Sequence, residues 1–129
     1  MDKKIINPWN WQEQRNYVQA IEVKNYESVL YISGQTAIDI EGKSSNEDMK
    51  NQLIKAITNL EIVLKQANYS PQSIVRLNVY TISEEQLLPH FSILQNWIIK
   101  HNVLTTLTLV EVNKLFETLS VELEVTAIK

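Results

Sequence analysis

Few residues in this 129-residue chain can do covalent chemistry, and their spacing narrows the choice further. There is no cysteine, which removes disulfides, thiolate zinc sites and cysteine nucleophiles. The two histidines, His90 and His101, fall on one expected helix but too far apart for the one-turn spacing of a metal pair. Neither stands in a triad arrangement with Ser33, so a serine nucleophile is not expected. Gly34 and Gly42 are the only glycines, and no glycine-rich phosphate loop can be built from them. No metal and no cofactor is implied. Carboxylate and hydroxyl chemistry is what remains. A carboxylate whose pKa is raised by partial burial at an interface can act as general acid or base, but nothing in the spacing singles out one among the acidic residues; Glu122, beside Glu124 on one strand face, reads locally as a solvated glutamate. Tyr17 has two readings, a hydrogen bond to a ligand or simple packing with its hydroxyl at a rim.

The element that must position these groups is Ser28 to Gln35, which alternates like a strand and ends at a glycine between polar side chains. Alternation puts Leu30, Ile32 and Gly34 on one face and Val29, Tyr31, Ser33 and Gln35 on the other. Gly34 removes a side chain where something must come close. Before it, Arg15 to Val23 reads as a first strand, joined through Lys24 to Glu27 in a hairpin. The leader Asn7-Pro8-Trp9-Asn10-Trp11 is irregular, with two tryptophans that favour burial against the domain or a neighbour.

After a loop around Gly42, a helix capped by Ser45 or Asn46 carries Met49, Leu53, Ala56, Ile57, Leu60 and Leu64 at helical spacing to about Ala67. Ile74 to Ile82 is a β-branched strand. A second helix starts at a Ser83 to Gln86 capping box, with Pro89 tolerated in its first two turns and a stripe through Leu87, Phe91, Leu94 and Ile98. Strands at Thr105 to Asn113 and Leu119 to Ile128 close the chain. The order β-β-α-β-α-β-β predicts a single α+β domain over residues 1–129, one mixed sheet with both helices on one face. The other face, assigned Tyr17, Ile21, Val29, Tyr31, Leu107 and Leu109, is too apolar for open solvent and predicts a closed homo-oligomer.

A formal charge of −3, only two arginines and scattered lysines argue against a nucleic-acid partner. No apolar run approaches a membrane span, and the first residues turn polar at Asn7, so the expected compartment is the cytoplasm.

Several strings, in order and spacing, resemble the RidA/YjgF family of chorismate mutase-like fold, which also carries the label endoribonuclease L-PSP. They are Asn16-Tyr17-Val18-Gln19-Ala20, Ile32-Ser33-Gly34-Gln35, Asn59-Leu60, Val75 to Tyr80, Val110-Glu111-Val112, and Val121 to Ala127. The resemblance spans nearly the whole chain. It implies a homotrimer with small-molecule clefts at subunit interfaces, which in active members hydrolyse imine and enamine intermediates to keto acids and ammonia. Tyr17, Ser33, Gly34, Gln35 and Glu122 fall at the family's cleft positions, and this resemblance is what implies Glu122 as the catalytic acid or base. The family's carboxylate-gripping arginine aligns with Leu107, its nearby cysteine with Leu109, and a helix asparagine with Phe91, while the leader Pro8-Trp9-Asn10-Trp11 is similar to that of arginine-lacking branches. Leucine in place of a guanidinium implies weak or altered turnover and a neutral or more hydrophobic ligand. A non-catalytic binding or regulatory trimer needs only the cleft, whereas a ribonuclease or translation inhibitor needs basic residues the chain does not cluster.

Overall fold

The computed structural model describes residues 1–129 as six strands and three helices. They are β1 (Asp2–Ile6), β2 (Ala20–Lys24), β3 (Val29–Gln35), α1 (Met49–Gln66), β4 (Ile74–Thr81), α2 (Glu84–Leu87), α3 (Phe91–Lys100), β5 (Thr106–Glu111) and β6 (Val121–Ile128). Strands β3, β6, β4 and β5 form one sheet in that order, antiparallel except for the parallel β4–β5 pair. The helical segment between β4 and β5 supplies the crossover that parallel strands require. The helices cover one face. Leu53, Leu60 and Leu64 of α1 and Leu94 and Ile98 of α3 bury against Leu77, Val79, Leu123 and Val125.

The α+β architecture is thus the expected one, with four differences of detail. First, β2 and β3 do not form a hairpin. β2 pairs instead with β1, a strand absent from the expected order, in a separate two-stranded sheet, while β3 takes β6 as its neighbour. Alternation marks a segment as extended but does not choose its partner. Second, the region before β2 is not strand: Glu13–Arg15 forms a 3-10 turn that ends on left-handed Asn16 (φ 63°), and Tyr17 follows in irregular chain.

Third, Asp48 rather than Ser45 or Asn46 caps α1, accepting the Asn51 N–H at 3.0 Å. Ser83 does cap α2, accepting the Gln86 N–H at 3.2 Å. Pro89 is not absorbed into that helix. It sits in a 3-10 turn, Leu88–His90, that divides α2 from α3, because proline has no N–H to give the ladder.

The fourth difference concerns the uncovered face. Leu107 and Leu109 are not on it: parallel register sets them beside buried Leu77 and Val79, so both turn toward the helices. Tyr17 and Ile21 lie outside this sheet altogether. Val29 and Tyr31 remain, with Tyr31 80% exposed, among Arg76, Asn78, Tyr80, Glu122, Glu124 and Thr126. The uncovered face is therefore mixed rather than apolar. No helix is long and apolar enough to cross a membrane.

Candidate functional site

The stretch around Gly34 is irregular in a way that matters. Ile32 pairs with Val125 and Gln35 with Leu123, so Ser33 and Gly34 together oppose the single residue Glu124 in a β-bulge. The extra residue reverses the alternation. Gly34 consequently turns toward Glu122 instead of sharing the face of Leu30 and Ile32, and a Cβ on Gly34 would overlap the Glu122 carboxyl group. Gln35 folds back so that its Nε2 donates to the Ser33 carbonyl at 3.0 Å.

Two carboxylates at alternate positions of β6 share this face in unequal settings. Glu124 accepts from Asn78 Nδ2 at 2.9 Å and from the Tyr80 hydroxyl at 3.1 Å, both on the neighbouring β4. Glu122 accepts no hydrogen bond from the chain and lies against Gly34. Its pKa is raised above the usual carboxyl value, first because burial penalises the charged form and second because the Glu124 charge lies nearby. A carboxyl group tuned upward holds its proton longer and is a stronger base once it has lost it.

The remaining candidates gather elsewhere. Tyr17, Phe91, Leu107 and Leu109 line one cleft of about 460 Å³ with Arg15, Leu88 and Gln95. This cleft lies on the helix side of β5, whereas Glu122, Ser33 and Gly34 belong to the uncovered side. One copy of the chain therefore does not bring Tyr17 and Glu122 together. Beside the cleft, Trp9 and Trp11 are exposed rather than buried and stack with ring centroids 6.4 Å apart. Trp11 meets Tyr17 edge-on at 6.4 Å, and the Arg15 guanidinium lies 5.0 Å from the Trp11 ring centroid. Of the histidines, His101 packs its ring 5.2 Å from that of Trp97, and His90 ends the 3-10 turn.

A sequence model described as endoribonuclease L-PSP matches residues 10–129. The chain belongs to this family, the RidA/YjgF family. Among its RidA/YjgF relatives, a RutC family protein of Aquifex aeolicus is 28% identical over 113 residues, 88% of each chain. A Rid-family protein of Yersinia pestis, YyfB, whose function is unknown, superposes over the full length of both chains with a TM-score of 0.86 at 24% identity. Escherichia coli TdcF, solved with bound serine, superposes at a TM-score of 0.72 and 20% identity over 88% of this chain and 87% of its own. These two likenesses establish the fold.

Three features of this RidA/YjgF chain escaped the sequence reading. Arg15 carries no local signal of a role, because a residue in a 3-10 turn reaches β5 only through the tertiary fold. Asn78 and Tyr80 are spaced two apart on β4, as Glu122 and Glu124 are on β6, and that shared period was the available signal. Asn59, noted only as part of a string, donates from Nδ2 to the carbonyls of Thr36 at 2.8 Å and Ile38 at 2.9 Å and so fixes the chain leaving the bulge.

Proposed function

We propose that this RidA/YjgF protein works as a homotrimer whose interface clefts hydrolyse small imines or enamines to carbonyl compounds and ammonia, with a substrate choice altered at Leu107. The observation that carries the reading is the division of the candidate residues between two sides of the sheet. The Tyr17–Leu107–Leu109 cleft has neither a carboxylate nor an imidazole among its lining residues, and Glu122 has an upshifted carboxyl with no protein donor. Each half completes the other only when the uncovered face of one copy meets the β5 edge of its neighbour. Such an assembly also covers Tyr31 and Val29.

In the reaction, water adds to the C=N carbon as the Glu122 carboxylate takes one water proton and hands it to the imine nitrogen, returning to the carboxylate. The resulting carbinolamine collapses to C=O as Glu122 takes the hydroxyl proton and passes it to the departing NH2, which leaves as ammonia with Glu122 again a carboxylate. Tyr17 is suited to hold the substrate by its hydroxyl. The amino-acid-sized ligand of TdcF supports a small amino-acid-derived substrate.

The test is ammonia release from a panel of 2-imino acids generated in situ, with light scattering for the assembly and an RNA cleavage control. Trimers releasing ammonia in a Glu122-dependent manner are expected. A stable monomer at micromolar concentration overturns the assembly, and ligand binding without ammonia release leaves a non-catalytic binding protein. Leu107→Arg is expected to improve turnover of the short 2-iminopropanoate by roughly one to two orders of magnitude, the worth of a charge-assisted hydrogen bond. If the parent already matches arginine-bearing relatives and Leu107→Arg adds nothing, Leu107 does not set substrate choice.

A further inference from the structure

The Leu107 cleft is apolar along β5 and the helices, yet one cation stands at it. Arg15 arrives from the N-terminal side, carried by the 3-10 turn, and the left-handed Asn16 that ends the turn lets Arg15 and Tyr17 both reach the cleft. The ion pairs within the chain join Lys24 to Glu22 and Lys55 to Glu47, and Arg15 takes part in neither. Nor does its guanidinium donate to any acceptor in the chain; its one directed contact is with the face of Trp11. An arginine stacked on an aromatic ring keeps its edge free, and that edge presents paired donors matched to a carboxylate.

We propose that Arg15 supplies the cationic contact of this cleft and that the ligand is a carboxylate with an aromatic or bulky apolar body. The inference rests on the function proposed above and names the substrate class of the same cleft. A carboxylate set against Leu107 and Leu109 loses its hydration without a partner, so the anion belongs at Arg15. The apolar body then lies against Leu107, Leu109 and Phe91, with Trp11 at the Arg15 end. A volume of about 460 Å³ falls within the range of roughly 300–1,000 Å³ usual for small-molecule sites. Arg15 thereby does the work of a missing strand cation from a different element, and a neutral ligand is no longer the best match.

The test is calorimetric titration of the assembled protein with phenylacetate, phenylacetamide and acetate, in the parent, Arg15→Gln and Arg15→Lys. Phenylacetate is expected to bind the parent at least tenfold more tightly than acetate. Arg15→Gln is expected to weaken phenylacetate roughly ten- to a hundredfold and Arg15→Lys by less, since lysine keeps the charge but not the fork. Phenylacetamide is expected to bind both variants as it binds the parent. Equal phenylacetate affinity in parent and Arg15→Gln, acetate binding as tightly as phenylacetate, or no phenylacetate binding at millimolar concentration overturns the proposal. Because the readout is binding, the two readings fail separately. Arg15-dependent binding without ammonia release removes the hydrolase alone, and Glu122-dependent ammonia release without an Arg15 effect removes this inference alone.

Discussion

Gly34→Ala probes the contact on which the Glu122 setting depends. The atoms that a Cβ on Gly34 would meet first are Oε1, Cδ and Cγ of Glu122, all side chain, with no backbone atom among the three nearest. Gly34 has no positive φ, so alanine can adopt its backbone conformation and the glycine is there for space. The Glu122 side chain must therefore swing away. An off-rotamer displacement costs about 0.5–1.5 kcal/mol and the overpacking that remains once the side chain has moved about 1 kcal/mol, against a gain of about 0.4–1 kcal/mol from a stiffer unfolded chain. The net expectation is a loss of about 1 kcal/mol. For 129 residues the unfolding entropy is about 0.27 kcal/mol/K, so Tm falls by about 4 °C. The same substitution in a Glu122→Ala background is expected to be neutral or slightly stabilising, which gives a coupling energy of about 1–2 kcal/mol in a double-mutant cycle. Thermal and urea unfolding of the four proteins at one protomer concentration measures it. Ammonia release is expected to drop at least tenfold in the single variant, from displacement of the carboxylate. Equal destabilisation in both backgrounds refutes the reasoning, since the clash would then lie elsewhere.

Glu122→Gln tests the electrostatics. Because burial and Glu124 raise the folded pKa above 4.5, ionisation of Glu122 opposes folding; the favourable contribution is complete below about pH 4.5 and is lost as pH rises through the folded value. The variant is expected to unfold at higher urea than the parent near pH 8, with the gap closing below about pH 4.5, and a pH-independent gap contradicts the assigned cause. Asn59→Ala removes two hydrogen bonds to the chain after β3 and is expected to cost about 1–3 kcal/mol, with faster hydrogen exchange in residues 36–48. Gln52 is fully buried, donating to the Glu47 and Thr118 carbonyls at 3.0 and 3.1 Å and accepting the Ser120 N–H at 2.9 Å. Gln52→Met, similar in shape, is expected to cost about 2–4 kcal/mol by denaturant unfolding, and a loss below about 0.5 kcal/mol contradicts the role given to the amide.

The sequence carries the periodic parts of this fold well. The stripe from Met49 to Leu64 and the alternation from Val121 to Ala127 both bury the residues their periods select. It carries pairing poorly. Nothing local in Ala20–Lys24 distinguishes Asp2–Ile6 from Val29–Gln35 as a partner, and that choice is made by tertiary packing. The bulge at Ser33–Gly34 was hidden for a related reason, since one inserted residue shows only against the opposing strand. The same blindness put Leu107 and Leu109 on the wrong face, because the face of a strand is set by its register with a neighbour. Among the candidate residues, the sequence does not show that Tyr17, Phe91, Leu107 and Leu109 share one cleft, and Arg15 becomes visible only where the chain folds back onto β5.

The strand order has a consequence for how the chain is made. Val121–Ile128 is the last strand in order but lies inside the sheet, between β3 and β4. During synthesis, β3 and β4 leave the ribosome with no strand between them, and Ile32, Leu77 and Val79 wait with part of their packing missing. Pairing over such separations is slow, and unpaired strands are the places where chains join one another. A nascent chain stalled before Val121 is therefore an aggregation hazard, and the 18-residue α1, the longest helix of the chain, is the shield best able to form from local contacts before the last strand arrives.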